Sequence, residues 1–344
     1  MDHELYMKRC LELALKGGGF VHPNPMVGSV IVHNEVVIGE GYHSAFGQAH
    51  AEVNAVDSVV NKSLLPFSIL YVSLEPCAHT GKTPPCTSLI ISSGIKNVII
   101  ATSDPNPLVA GKGIKTLKEA GVKVTVGVLE KEARYINRRF FTFHTQKRPY
   151  VILKWAESAD GFIGNKGKGK KQVRISNDTS RTLVHKWRSE EQAILVGCKT
   201  VINDNPALNV RYWKGPDPIR ILIDSGLSVP VASKFFRKMG RALVINTIKE
   251  ESQTNIRYIK VPKSPDRTHY ILEKLFENQI VSVFVEGGAE TLTYFLKSGL
   301  WDECRVFRSE KVIGGNVAAP SLPSGIPECF NFDGDKLMVF RNKG

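Results

Sequence analysis

Apolar residues Leu5, Leu11, Leu13 and Leu15 recur near helical spacing, which predicts a helix over residues 2–16 that stops at Gly17-Gly18-Gly19. From Val27 the pattern changes to β-rich alternation, giving two runs at 27–32 and 36–41 with a turn at His33-Asn34. Helices are then predicted at 51–60, 87–93 and 114–120, and strands at 69–73, 97–101 and 124–128. Short strands alternating with helices indicate an α/β layered domain whose sheet is largely parallel beyond the first hairpin. After Thr145-Gln146-Lys147-Arg148-Pro149 the pattern restarts. β-rich runs at 150–156, 193–197, 219–224, 242–246 and 281–286 enclose predicted helices at 178–188, 270–278 and 290–296. The expectation is two α/β domains, 1–147 and 148–344, with no internal repeat and no low-complexity tract.

Composition agrees with two ordinary cores. The 344 residues are 42% hydrophobic and 23% charged, with 29 Gly and 18 Pro, which excludes disordered and collagen-like classes. The first residues mix charge with apolar side chains, and no apolar run approaches the roughly 18 to 20 residues that span a bilayer. A cytoplasmic location without membrane contact is expected. Six cysteines, at 10, 77, 86, 198, 304 and 329, are too scattered for a disulfide framework, so those that matter should act as thiolates.

Charge adds a hint about partners. Residues 1–147 carry 15 basic and 12 acidic side chains, and residues 148–344 carry 31 and 21, so most of the formal +13 falls on the second half. That surplus points to an anionic ligand: nucleic acid, phosphate or nucleotide. The Gly/Lys alternation over 166–171 reads as a solvated loop or an anion-recruiting one.

The densest chemistry is His50-Ala51-Glu52, followed by Pro76-Cys77 and Cys86. One imidazole and two thiolates form a ligand set that zinc favours, and three protein ligands leave a fourth position for water. Zinc lowers the pKa of such a water toward about 7. Glu52, two residues after His50, can face that water without being a ligand and carry a proton to a leaving amine. Zinc deaminases show H-x-E followed by P-C-x-x-C. Here residues 78–85 separate the cysteines, a proline-containing insert suited to substrate contacts. His79 lies within that insert and is not assigned as a ligand.

These residues, with Pro23-Asn24-Pro25-Met26-Val27-Gly28, Leu74-Glu75-Pro76-Cys77, Gly81-Lys82-Thr83-Pro84-Pro85-Cys86, the run from Ser103 to Gly113, and the run from Lys154 to Gly161, resemble the bifunctional riboflavin-biosynthesis deaminase-reductases, the RibD family. The resemblance implies a cytidine-deaminase-like three-layer α/β/α sandwich followed by a dihydrofolate-reductase-like α/β domain. It implies two reactions: zinc-dependent deamination of 2,5-diamino-6-(5-phosphoribosylamino)pyrimidin-4(3H)-one, then NADPH-dependent reduction of the ribosyl chain to ribityl. The partners it implies are the phosphorylated pyrimidine and NADPH, without nucleic acid, in a homo-oligomer formed through the reductase domain.

The resemblance also assigns residues. In the deaminase, the Asn24 amide would contact the pyrimidine edge, His43 and Lys82 the ring or phosphate, and Asp104 and Asn106 the phosphoribosyl part. In the reductase, the cofactor would meet Ala156, Thr200, Asp204, Ser225, Gly288 and Thr291, and substrate phosphate would meet Arg188, Leu208 and Arg211. Glu286 would lie near the reacting chain. Lys154, on an apolar strand, needs a partner and is placed at the substrate ribose. Val285-Glu286-Gly287-Gly288 before a helix suits a cofactor diphosphate, and no G-x-G-x-x-G supports a Rossmann site. Arg174 stands where some relatives have an aromatic residue and is expected to hold the extra phosphate of NADPH. The charged stretch over 305–310 is expected at an edge or interface. Two rival classes stay open: a nucleobase deaminase acting on nucleic acid, and a binding protein with a disabled deaminase domain.

Overall fold

A computed structural model of the chain describes residues 2–78, 84–107, 109–165, 174–237 and 240–342. The chain divides into two compact units, Met1–Lys147 and Arg148–Gly344.

The first unit runs α1 (His3–Leu15), β1 (Gly28–His33), β2 (Val36–Tyr42), α2 (Ala51–Ser58), β3 (Ile69–Val72), α3 (Cys86–Ser92), β4 (Asn97–Ile100), α4 (Lys112–Glu119), β5 (Lys123–Val126), α5 (Glu130–Ile136) and α6 (Arg138–Gln146). Its sheet has the order β2-β1-β3-β4-β5, antiparallel on both sides of β1 and parallel from β3 to β5. Alternation along β1 builds two cores. Ile31 packs with Val56 of α2, Ile90 of α3 and Leu117 of α4. Val30 and Val32 point the other way, to Met7 and Leu11 of α1 and Ala133 of α5. Sequence periodicity alone missed α5 and α6. They divide at Asn137, whose amide accepts from the Met26 N–H and donates to the Met26 carbonyl, both at 2.8 Å.

Close backbone approach seats the helix that matters for chemistry. A Cβ on Gly41 would stand 2.3 Å from the Ala55 nitrogen, so only glycine lets β2 receive α2 at this distance.

The second unit runs β6 (Tyr150–Glu157), β7 (Phe162–Gly164), α7 (Asp178–Glu190), β8 (Ala193–Gly197), α8 (Cys198–Asp204), β9 (Ile219–Ile223), α9 (Lys234–Arg237), β10 (Ala242–Asn246), β11 (Glu251–Ser252), β12 (Ile256–Lys260), α10 (Arg267–Glu277), β13 (Ser282–Gly287), α11 (Ala289–Ser298), β14 (Glu303–Arg308), β15 (Val317–Ala318), β16 (Glu328–Phe332) and β17 (Asp335–Arg341). The main sheet has the order β11-β12-β10-β9-β8-β13-β6-β14-β17-β16, parallel from β12 to β14 and antiparallel at both margins. β7 and β15 pair separately. One face packs Leu153, Leu195 and Val283 against α10 and α11; the other packs Ile152 and Phe284 against Val184 and Trp187 of α7. Among the described residues, no helix is long and apolar enough to cross a membrane.

The charged stretch after Glu303 is not at an edge. β14 lies between β6 and β17, and Arg305 is only 7% exposed. Its charge is tolerated because Nη2 meets Glu303 Oε2 at 2.6 Å and the guanidinium lies 4.6 Å from the Trp187 ring centre. The Tyr150 hydroxyl donates to the other Glu303 oxygen at 2.9 Å. Removing one member of such a pair leaves a buried charge unpaired. Arg305→Ala is therefore expected to lower the unfolding free energy of this unit by about 3 kcal/mol. Denaturant titration checks it, and a loss below about 0.5 kcal/mol, the size typical of neutral surface changes, would contradict the packing described.

Candidate active sites

In the first unit two helix starts and the segment after β3 converge. His50 is the N-cap of α2, Cys86 opens α3, and Cys77 lies in the segment that leaves β3. The His50 Nδ1 stands 3.3 Å from Cys86 Sγ and 3.6 Å from Cys77 Sγ, and the three atoms all lie within 4.8 Å of one another. The Cys86 N–H donates to Cys77 Sγ at 3.4 Å, and the Thr87 N–H to the Cys77 carbonyl at 3.2 Å, so the start of α3 grips the other sulfur.

The electrostatics describe sites competing for one charge. The Cys77 thiol is held well below its ordinary range, chiefly by the Cys86 thiol, with a further contribution from His50 and against the effect of burial. Cys86 is pushed up by its bond to Cys77 and by burial. Two sulfurs and an imidazole at this separation fit a divalent, borderline-soft cation, which would let both thiols ionise together. Glu52, in the first turn of α2, is 3% exposed, and burial pushes its carboxyl up to about 7. It thus gains and loses a proton near neutrality.

His43 and Asn24 stand beside this cluster. The His43 and His50 rings meet edge-on at 5.5 Å. His43 Nδ1 lies 3.1 Å from the Ala49 carbonyl and Nε2 lies 3.2 Å from Asn24 Nδ2. A carbonyl accepts only, so the proton is on Nδ1, and Nε2 accepts from the Asn24 amide. Burial lowers the His43 pKa, which keeps the ring neutral. Asp104 and Asn106 are partly buried in one turn, where the Asn106 N–H donates to Asp104 Oδ1 at 2.7 Å. Lys82, His79 and the 166–171 stretch lie outside the described residues.

In the second unit, β6 and β13 run parallel with Leu153 opposite Val285, so Lys154 and Glu286 follow as neighbours. Arg188 from α7 grips Glu286 with two bonds of 2.6 Å, Nε to Oε1 and Nη2 to Oε2, and Nη1 donates to the Asn209 carbonyl at 3.1 Å. Burial alone would raise the Glu286 carboxyl, but Arg188 outweighs it and the net shift is downward. Burial lowers the Lys154 pKa. Arg211 is exposed, with its backbone N–H donating to His185 Nδ1 at 3.0 Å; Leu208 beside it is buried in a left-handed conformation at φ 52°. His185, which sequence reasoning missed, is pushed down to about 4, chiefly by burial, and is neutral at physiological pH.

In the same unit a cavity of about 800 Å³ is lined by Thr200, Asp204, Ser225, Gly288 and Thr291. Its floor is where a Cβ would intrude: one on Gly288 would stand 3.1 Å from Thr200 Oγ1, and one on Gly197 would stand 2.5 Å from Thr291 Oγ1. Gly288 is also the N-cap of the ten-residue α11, without a side-chain cap, so the first N–H groups of that helix suit a diphosphate. This donor set and cradle fit a dinucleotide. Neither Ala156 nor Arg174 lines the cavity. Arg174 is engaged elsewhere, with its guanidinium on Asp178 and, at 3.3 Å, on the Ser176 carbonyl. The cavity's cations are instead Lys199, Lys263 and Arg267. No motif joins Lys263 and Arg267 to Gly288 in sequence; the fold alone brings α10 to α11.

A zinc-ligand cluster on an α/β/α sandwich and a dinucleotide-sized cleft on a separate α/β sheet define a two-domain deaminase-reductase. Residues 1–102 match the cytidine and deoxycytidylate deaminase zinc-binding region, and residues 149–332 match the RibD C-terminal domain. The riboflavin biosynthesis protein RibD of Aquifex aeolicus is 43% identical over 323 residues, covering 92% of this chain and 89% of that protein. A Thermotoga maritima crystal structure, described as a diaminohydroxyphosphoribosylaminopyrimidine deaminase/5-amino-6-(5-phosphoribosylamino)uracil reductase, is 38% identical with a TM-score of 0.87 and 98% of each chain covered. Acinetobacter baumannii RibD is 31% identical with a TM-score of 0.88 and 99% of each chain covered. The chain belongs to the RibD family of bifunctional riboflavin-biosynthesis enzymes, deaminase and reductase in one polypeptide.

The cluster geometry makes metal retention directly measurable. Purified protein is expected to carry about one zinc per chain, and Cys86→Ala to carry less than about a tenth of that, since two ligands hold zinc poorly. Elemental analysis checks this. Full zinc content in the variant would contradict the ligand assignment.

Proposed function

We propose that Met1–Lys147 removes the amino group of 2,5-diamino-6-(5-phosphoribosylamino)pyrimidin-4(3H)-one and that Arg148–Gly344 reduces the ribosyl chain of the product with NADPH. The observation that carries the first half is the His50, Cys77 and Cys86 cluster with buried Glu52 beside it. His50 Nδ1 and the two thiolates would hold zinc, which when bound supplies the Lewis acidity that ionises water near neutral pH. Glu52 holds the proton taken from water and delivers it to the departing nitrogen; a carboxyl poised near 7 suits both transfers. Asn24, fixed by His43, orients the pyrimidine edge. Asp104, Asn106 and Lys82 bind the phosphoribosyl part.

In the reductase, Thr200, Asp204, Ser225, Gly288 and Thr291 seat NADPH, which supplies hydride. Lys263 and Arg267 give the cavity positive charge. Lys154 and Glu286 face the ribose, while Arg188 and Arg211 with the backbone at Leu208 bind its phosphate. Arg188 has used three of its five N–H groups and keeps two for an anion. The substrate and NADPH are both phosphorylated, which accounts for the basic surplus of residues 148–344 without a polynucleotide. Self-association through the reductase unit and a cytoplasmic location complete the proposal.

Glu52→Gln tests the assignment of roles. Deamination is expected to fall about 10²- to 10⁴-fold with zinc retained, while NADPH oxidation on the already deaminated pyrimidine stays at the unaltered rate. Deamination at the unaltered rate would remove Glu52 from the mechanism.

A further inference from the structure

Glu75 is 4% exposed, two residues before Cys77. Among the described residues no lysine, arginine or histidine forms an ion pair with it; its carboxylate is met by backbone instead. Oε2 accepts from the Asp104 N–H at 3.2 Å and the Gly111 N–H at 3.0 Å, and Oε1 accepts from the Ile114 N–H at 3.2 Å. Gly113 closes the same contact from the other side: a Cβ there would stand 2.0 Å from the Pro76 carbonyl oxygen. One side chain thus ties both ends of the 104–114 segment to the strand end that leads to Cys77.

A carboxylate withdrawn from water without a cation is costly unless hydrogen bonds replace its hydration. Here three N–H groups replace it, all from one segment, so that segment cannot shift without stripping a donor from a buried charge. The turn so held carries Asp104, whose side chain accepts from the Asn106 N–H at 2.7 Å. We infer that Glu75 is a positioning residue of the deaminase. It sets the distance between the Cys77 end of the site and the Asp104–Asn106 turn, so that a substrate held by its phosphoribosyl part presents its ring to the zinc cluster. The inference rests on the reading of Asp104 and Asn106 as substrate contacts.

The test is steady-state deamination by the zinc-loaded full chain, comparing Glu75→Gln, Asp104→Ala and the double variant. Gln keeps the size but turns an amide NH2 toward N–H donors. Glu75→Gln is expected to raise KM for the phosphoribosylaminopyrimidine about 10- to 100-fold, with kcat within about threefold and zinc content unchanged. In the Asp104→Ala background the same change should add less than about twofold, because both act on one contact. A fall in kcat at unchanged KM, a loss of zinc, or full additivity in the double variant overturns the proposal. If Asp104→Ala alone leaves KM unchanged, the substrate-contact reading has failed and takes the positioning role with it. Should Glu75→Gln not fold, Glu75→Asp serves, since a carboxylate one methylene shorter cannot reach both ends of the segment. The same rise in KM supports the role, and an unchanged KM overturns it.

Discussion

Two thiols and an imidazole whose ligand atoms lie within 4.8 Å of one another cannot all carry the protonation states they would have in water. That conflict organises the first unit. His50 and Cys86 each stand at the start of a helix, where the positive end of the helix dipole favours a thiolate and an incoming anion. Holding the two helix starts so close requires that α2 lie hard against β2, which Gly41 permits, and that the Cys77 segment be tied to α3 by hydrogen bonds from Cys86 and Thr87. The same crowding buries Glu52 and brings its pKa to the operating range of a proton carrier. Packing, the fit for a metal and the protonation of Glu52 therefore depend on one short-range constraint.

The second unit answers a different demand with similar parts. Its cofactor must be bound and released, so the chain offers a preformed cavity walled by helix starts and glycines rather than a tight cluster. Charge is fixed locally where β6 and β13 meet α7. Arg188 and Glu286 neutralise one another in a bidentate pair, which leaves Lys154 next to a defined anion instead of alone on an apolar strand. Arg305 follows the same rule inside the sheet, where Glu303 and the face of Trp187 replace water.

Much of this was legible in sequence wherever a local pattern carries the physics. The β runs at 27–32 and 36–41 read directly as β1 and β2, and His50-Ala51-Glu52 with Cys77 and Cys86 carries its ligand chemistry in the residue types. What was not legible depends on residues distant in the chain. α5 and α6 follow one another around Asn137, so their combined pattern blurs. Arg305 looks misplaced on an interior strand until Glu303 and Trp187 are seen beside it. Arg174 reads as a phosphate ligand by its position in the sequence; in the fold its guanidinium lies on Asp178, four residues on, and it does not line the cavity. Lys263 and Arg267 reach the cavity only because α10 packs beside α11, a fact no spacing encodes.

One chain thus carries two chemistries, deamination and reduction, in separate units. The most direct measurement supplies the purified, zinc-loaded protein with the diaminopyrimidine phosphate and follows ammonia release and NADPH oxidation together. Ammonia release is expected whether or not NADPH is present, and NADPH oxidation only after ammonia has appeared. NADPH consumed without prior ammonia release, or no ammonia from zinc-loaded protein, would overturn that order of reactions.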